Sequence, residues 1–363
     1  MAGLQNLSRT QRGVTAAAVA LTIVSAGAHV IGPRSVVTFL IAAVALAALA
    51  AVVGQSIEQV GERLGSGATG LLQSALGNLP ELFVGFFALR AGLVDIVRAA
   101  LVGSILGNTL LVLGIAVLAG GLKHGAQRFA SDSPRMMGTL LLLAVAALLV
   151  PTLAARLHTP AAHHANQLSG AVAVILVAVY VLSIPFWLRS GAQTGPCADD
   201  AAPRESGGTE PWPLGLAVAL LAVASLGAAL VSDWFVAALE PATKSLGLSP
   251  TFTGLVIVAI ASNAVENVGG IGFALRARPD YALSTILNSP LQVALFLTPL
   301  LVLLSHVTGP TSLTLVFPTL EVAALALAVI VVLVVLSDGE YVWLEGVALV
   351  GLYFIVAAAF WWG

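Results

Sequence analysis

Long apolar runs dominate the chain. Stretches rich in Ala, Leu, Val and Ile follow one another, separated by short segments that contain charged residues, Pro or Gly. The hydrocarbon core of a bilayer is roughly 30 Å thick, and a helix crosses it with about 20 apolar residues. The runs lack the alternation of a membrane β-barrel. We therefore predict an all-α membrane protein with about 11 transmembrane helices, at 14–31, 35–55, 66–90, 98–120, 136–155, 167–188, 212–231, 250–276, 282–305, 315–337 and 341–361.

Composition and charge agree with this prediction. Of the 363 residues, 59% are hydrophobic and 9% are charged, whereas a soluble domain carries about 25% charged residues. The net charge of −2 and the lack of a basic run argue against nucleic acid as a partner. Lys and Arg concentrate in the loops that a cytoplasmic N-terminus would keep inside the cell. With the short loops, this favours a bacterial inner (plasma) membrane, with the N-terminus cytoplasmic and the C-terminus outside.

The two halves of the chain repeat one motif. GNLPEL at 77–82 matches SNAVEN at 262–267, and Ser104 and Ser289 keep the same offset of 185 residues. Each copy spans five helices, and an odd number inserts the second copy in the inverted orientation. The predicted organisation is an N-terminal tail and extra helix at 1–34, a first five-helix repeat at 35–188, a cytoplasmic linker at 189–211 and a second, inverted five-helix repeat at 212–363.

The repeated motif carries the candidate chemistry. Asn78 with Glu81, and Asn263 with Glu266, are each three residues apart and share a helix face. A carboxylate inside a membrane is costly, and it usually serves an ion or proton pathway. Amide and carboxylate oxygens suit a hard cation such as Ca²⁺, whereas zinc or copper prefers His or Cys. We expect further polar groups at or next to the ion from the side chains of Ser104, Asn108, Ser289 and Gln292, and further oxygens from the backbone carbonyls of Gly77 and Ser262.

Two carboxylates that face each other in a low dielectric repel, and burial favours the protonated form. Protons and a divalent cation should therefore compete at Glu81 and Glu266, which is the basis of antiport. Three alternatives remain: an exchanger driven by sodium or potassium, a cation channel, and a purely structural role for a buried carboxyl group such as Glu321. An intramembrane enzyme is disfavoured because neither a nucleophile nor a phosphate loop accompanies the glutamates. We expect Ca²⁺ and H⁺ as cargo, the lipid bilayer as a partner and no cofactor; homo-oligomerisation stays open.

Four segments resemble a known family. GNLPELFVGFFALRAG with VGSILGNTLLVLG, and ASNAVENVGGIGFALRARPD with NSPLQVALFLTPL, are similar to the paired signatures of the calcium/proton exchangers (CAX type) of the calcium/cation antiporter superfamily. The resemblance implies eleven helices, including an extra N-terminal one, and alternating access driven by the proton gradient. It also implies shared calcium and proton binding at Glu81 and Glu266, supported by Asn78 and Asn263.

The chain departs from that family pattern at three positions. Ser262 stands where Gly is common, and Asn267 replaces a His that usually follows the second glutamate. Pro290 stands where a small unconstrained residue is usual. The carboxylate pair is retained. We expect these departures to affect proton coupling, cation affinity and the choice of cation.

Overall fold

The computed structural model describes residues 7–32, 35–64, 76–130, 132–190, 212–308 and 312–361. Within these ranges, the side chains of residues 62–64, 132–133, 185–190 and 264–268 are not described. Residues 191–211, which make up most of the predicted linker, lie outside the described residues.

The described chain is mostly helical, as predicted. The helices are α1 (Arg9–Ile31), α2 (Val36–Leu64), α3 (Leu79–Arg90), α4 (Val94–Leu106, π-helical Gly107–Val112, Leu113–His124), α5 (Asp132–Arg156), α6 (Ala165–Ser190), α7 (Leu214–Ser245), α8 (Pro250–Phe252, π-helical Thr253–Val258, Ala259–Leu275), α9 (Pro279–Gln292, π-helical Val293–Leu297, Thr298–Thr308), α10 (Thr319–Val335) and α11 (Trp343–Trp361). A 3₁₀ turn, Pro160–His164, precedes α6.

Eight helices in the described part of the chain are long and apolar enough to cross a membrane. They are α1, α2, α4, α5, α6, α7, α9 and α11. Three predicted spans are outside this set. Of 66–90, residues 66–75 lie outside the described residues; the span 250–276 corresponds to α8, in which the side chains of residues 264–268 are not described; and 315–337 corresponds to the shorter helix Thr319–Val335. The chain is thus a helical membrane protein, while the count of eleven crossings stays a prediction.

The chain divides into two compact units. The first contains residues 1–87 and 183–247, and the second contains residues 88–182 and 248–363. This division follows packing within each unit and does not test the predicted repeat boundaries.

Within the first unit, α2 packs along both α1 and α7. Phe39 of α2 stacks on Phe235 of α7, with 4.7 Å between ring centroids. At the other end of these helices, Trp212 is buried among Leu7, Val60 and Ala217. A buried indole needs a hydrogen-bond acceptor, and the Trp212 Nε1 donates to Gln11 Oε1 at 3.3 Å.

Close helix crossings organise the second unit. A Cβ atom at Gly103 of α4 would overlap the backbone of Leu255 in α8. Further along α4, a Cβ atom at Gly114 would lie 3.0 Å from the carbonyl oxygen of Gly346 in α11. Small residues of this kind let two helix backbones approach closely inside a membrane. Glycine therefore brings α4 against two different helices along its length.

A short antiparallel β pair, which the apolar pattern did not predict, joins two loops of the second unit. β1 (Gln127–Arg128) pairs with β2 (Glu340–Tyr341), with Gln127 opposite Tyr341. The Tyr341 hydroxyl donates to Gln127 Oε1 at 2.9 Å. Burial, together with the nearby Asp280 carboxylate, raises the pKa of Tyr341, so the phenol stays protonated and keeps donating this hydrogen bond.

Candidate functional site

Four buried polar side chains meet in the apolar interior of the second unit. Ser104 and Asn108 lie on α4, Asn263 on α8 and Ser289 on α9. Each is at most 6% exposed. We call these four residues the polar cluster. All four were expected from the sequence at or next to the ion site, and the structure brings them together.

Amide groups hold the cluster together. Asn108 Nδ2 donates to Asn263 Oδ1 at 3.1 Å and to Ser289 Oγ at 3.2 Å. The carbonyl oxygen of Ser104 is a third acceptor at 3.0 Å, so the two N–H groups of Asn108 are shared among three acceptors. Asn263 Nδ2 donates to the carbonyl oxygen of Ala259 at 2.9 Å. A backbone carbonyl only accepts hydrogen bonds, so these contacts fix which side of each amide carries the nitrogen.

The side-chain oxygens of Asn263 and Asn108 differ in how many hydrogen bonds they already accept. Asn263 Oδ1 accepts hydrogen bonds from Asn108 Nδ2 and, at 3.3 Å, from Ser104 Oγ. Two donors occupy the acceptor capacity of a carbonyl oxygen. Asn108 makes its described hydrogen bonds through Nδ2, and its Oδ1 accepts none from a described residue. Of the two amides, Asn108 therefore has the oxygen that is ready to contact a cation or water.

Local backbone features create this geometry. Asn108 lies in the π-helical stretch Gly107–Val112, and Asn263 follows the π-helical stretch Thr253–Val258. A π-helical turn is wider than an α-helical one and is often found at functional sites. The crossing at Gly103 brings α4 close enough to α8 for the side chains at 104, 108 and 263 to reach each other.

A small cavity of about 20 Å³ adjoins the polar cluster. Ser104, Asn108 and Asn263 contribute to its wall, as do Gly107 and, from α11, Tyr353. Tyr353 was not predicted from the sequence, because a single hydroxyl group in an apolar helix has no counterpart in the other half of the chain. The only available signal was its polar atom within the run 341–361.

The first copy of the motif belongs to the first unit. The chain turns at Gly77 and Asn78, and α3 begins at Leu79. Glu81 is in the first turn of α3, where the positive end of the helix dipole favours a carboxylate. Asn78 and Glu81 are 5% and 8% exposed. Both are therefore buried polar groups within an apolar segment, as predicted.

The remaining predicted residues have mixed outcomes. Gln292 is buried on α9 next to the π-helical stretch, and the Ser262 hydroxyl donates to the carbonyl oxygen of Val258 at 3.0 Å. Glu266 lies on α8, but its side chain is outside the described part. The pairing of Glu81 with Glu266 stays a prediction. Among the described residues, no three His, Cys, Asp or Glu side chains are grouped to hold a metal ion.

Comparison with known proteins identifies the family. The profile described as "Sodium/calcium exchanger protein" matches residues 34–188 and 216–362. The chain belongs to this family. One relative, the "Ca(2+)/H(+) antiporter" of Synechocystis sp., is 37% identical over 350 residues, which cover 93% of this chain and 94% of the relative. The members of this family are transporters rather than enzymes, in agreement with the sequence analysis.

Solved structures of related exchangers share the fold. The structure "native YfkE" superposes with a TM-score of 0.80 at 31% identity, covering 97% of this chain and all of that one. The "H+/Ca2+ Exchanger CAX" superposes with a TM-score of 0.73 at 17% identity and covers 97% of this chain. The resemblance to calcium/proton exchangers that was seen in the sequence is therefore confirmed.

Proposed function

We propose that this family member is a secondary transporter that exchanges Ca²⁺ for H⁺ across the membrane. The observation that carries the proposal is the polar cluster, an arrangement of amide and hydroxyl oxygens buried within apolar helices, taken together with the buried carboxyl group of Glu81. Oxygen ligands suit a hard cation. Relatives named Ca²⁺/H⁺ antiporter, such as those of Synechocystis sp. and Bacillus subtilis, support this choice of ions.

The proposed ion site combines both copies of the motif. Glu81 and Glu266 provide the charge that binds either one Ca²⁺ or protons, and Asn78 and Asn263 provide amides beside them. For the Asn263 oxygen to bind Ca²⁺, the ion must replace a hydrogen bond from Ser104 or Asn108. Ser104, Ser289 and Gln292 support the site from the following helix of each copy, and the carbonyls of Gly77 and Ser262 complete the proposed ligands. Protonation of the carboxylates releases the cation, and cation binding releases the protons. When such a site opens to one side at a time, this competition couples the two fluxes.

We also propose that an N-terminal helix precedes two inverted five-helix repeats at 35–188 and 212–363, which gives eleven crossings. The π-helical stretches support this layout. Gly107–Val112 in α4 and Val293–Leu297 in α9 are separated by nearly the same offset as the two copies of the motif. A distortion that recurs at one place in both halves is expected if the halves share an architecture.

Relatives in Synechocystis and Bacillus support a bacterial plasma membrane as the location. In this proposal the N-terminus is cytoplasmic, the C-terminus is outside, and the linker at 189–211 is cytoplasmic. The lipid bilayer is the structural partner, and the transported ions are the ligands.

The decisive experiment is Ca²⁺ uptake into proteoliposomes under an imposed pH gradient. Parallel samples carry a sodium gradient, a potassium gradient or no gradient. We expect uptake that follows only the proton gradient. Uptake that follows sodium would instead support a sodium-coupled exchanger, a coupling that the family description names. Uptake that follows potassium would support a potassium-coupled exchanger. Uptake that ignores every gradient would indicate a channel.

Two variants test the shared carboxylate site. We expect Glu81→Gln and Glu266→Gln each to abolish proton-driven uptake, because each removes one of the charges for which Ca²⁺ and H⁺ compete. Glu340→Gln is the matched control, since Glu340 lies in the loop strand β2 and pairs with exposed Arg128. The control should transport normally. Normal exchange by either site variant would contradict a shared site.

A further inference from the structure

The cavity beside the polar cluster has room for at least one water molecule. Its volume is about 20 Å³, and a single buried water needs roughly 10–15 Å³. A water also needs two or more polar partners. Ser104, Asn108 and Asn263 bring polar atoms to the wall, so the cavity meets both conditions.

Tyr353 brings a polar group that needs such a partner. Its side chain belongs to the cavity wall and is 2% exposed. The hydroxyl group is buried and makes no hydrogen bond with a described residue. Buried hydroxyl groups are nearly always hydrogen-bonded, through water where the protein offers nothing. The side-chain amide oxygen of Asn108, Oδ1, belongs to a residue of the same wall and likewise accepts no hydrogen bond from a described residue.

We propose that Tyr353 is a positioning residue of the ion site and acts through one water molecule held in this cavity. The Tyr353 hydroxyl donates to the water, and the water donates to Asn108 Oδ1. This inference rests on the proposed calcium site and adds to it a residue from α11, outside both copies of the motif.

The water bridge gives Asn108 Oδ1 a hydrogen-bond partner, so that both polar atoms of the side-chain amide are held in place. With Oδ1 held, Nδ2 keeps donating to Asn263 Oδ1 and Ser289 Oγ. Without it, the amide can rotate and the cluster loses its arrangement in part of the molecules. Loss of the bridge therefore leaves the ion site less preorganised. This lowers the affinity for the ion but does not stop the transport cycle.

The first test is Tyr353→Phe, which removes the hydroxyl and keeps the ring. Losing one net hydrogen bond corresponds to about a threefold to tenfold change in an equilibrium constant. We expect the apparent KM for Ca²⁺ to rise by that factor, with the maximal exchange rate within about twofold of the parent. A residue that merely holds α11 in place would not separate KM from the maximal rate in this way.

A second variant reaches the same water from the other wall. Gly107 lines the cavity, and a Cβ atom there would meet no atom within 4 Å. Gly107→Ala should therefore narrow the cavity beside the water without a clash with the protein. We expect the same rise in KM, and we expect the double variant with Tyr353→Phe to be no worse than either single one, since both remove one bridge.

Tyr341→Phe is the matched control. It deletes the same atom from another buried tyrosine, but that hydroxyl serves the β pair through Gln127. The control should lower the melting temperature and leave KM unchanged. Equal KM values for Tyr353→Phe and the parent protein would overturn the proposal, and so would fully additive effects of Tyr353→Phe and Gly107→Ala.

Direct binding separates this proposal from the proposed function. Calorimetric titration of the purified full chain with Ca²⁺ measures affinity without any proton gradient. If the parent binds Ca²⁺ but does not exchange it for H⁺, the proposed function fails. In that case a threefold to tenfold weaker affinity of Tyr353→Phe would still support its positioning role, and an unchanged affinity would refute it.

Discussion

Gly103→Ala gives a quantitative test of the crossing between α4 and α8. A Cβ atom at this position would lie 2.6 Å from the backbone carbonyl carbon of Leu255, and ordinary contact begins at 3.4 Å. The obstacle is backbone, which a rotamer change cannot relieve. The two helices must therefore separate by about 1 Å, and this change stretches the contacts of Ser104 and Asn108 with Asn263 beyond hydrogen-bonding distance.

The expected loss combines two physical effects. Overpacking a close interface costs about 1–3 kcal/mol, and each of the two links to Asn263 contributes about 1 kcal/mol. Together they destabilise the fold by about 3–5 kcal/mol, or a fall in melting temperature on the order of 10 °C. We also expect weaker Ca²⁺ binding, because the polar cluster opens.

Thermal unfolding of the detergent-purified protein, with and without Ca²⁺, measures both effects. Gly170→Ala in α6 is the matched control, since a Cβ atom there meets nothing within 4 Å. This control should be as stable as the parent or gain about 0.5–1 kcal/mol from the better helix propensity of Ala. If Gly103→Ala melts and binds Ca²⁺ like the control, the reasoning on the helix crossing is wrong.

Two further substitutions concern charged residues of the second unit. Arg98→Ala should destabilise the fold by about 1–3 kcal/mol, because the guanidinium donates to the carbonyl oxygen of Thr314 and, at 2.7 Å, to its hydroxyl group. Thermal unfolding measures this loss, and an unchanged melting temperature would contradict it. Arg128→Ala removes an exposed ion pair with Glu340. Because such pairs contribute less than about 1 kcal/mol, we expect a small change in melting temperature. A large fall would mean that the β pair depends on this contact.

The apolar runs predicted where most helices lie, but not where they end. The run at 212–231 predicted a helix that the structure continues to Ser245, past Asp233 and Glu240. A hydrophobicity pattern detects the part of a helix that avoids water, and backbone hydrogen bonds extend the helix beyond it. The π-helical stretches were equally invisible, because packing around a widened turn leaves no period in the sequence.

The duplication in the sequence predicted most of the polar cluster. Ser104, Asn263 and Ser289 were found because the same residue types recur at one offset in both halves. Tyr353 was not predicted because its place in the cavity wall depends on the packing of α11 against α4. This contact joins distant parts of the chain. Asn263 also differs from expectation in detail, since its amide oxygen already accepts two hydrogen bonds within the cluster.

The π-helical stretch in α4 determines which neighbours that helix contacts. Gly103 and Gly114 are eleven residues apart, which is about three turns of a regular α-helix, so a straight helix would direct both glycines to the same side. In the structure, Gly103 meets Leu255 of α8 and Gly114 meets Gly346 of α11. A wider turn between them absorbs about one extra residue, equivalent to about 100° of rotation about the helix axis. One continuous helix thereby presents its small residues in two directions and packs closely against both α8 and α11.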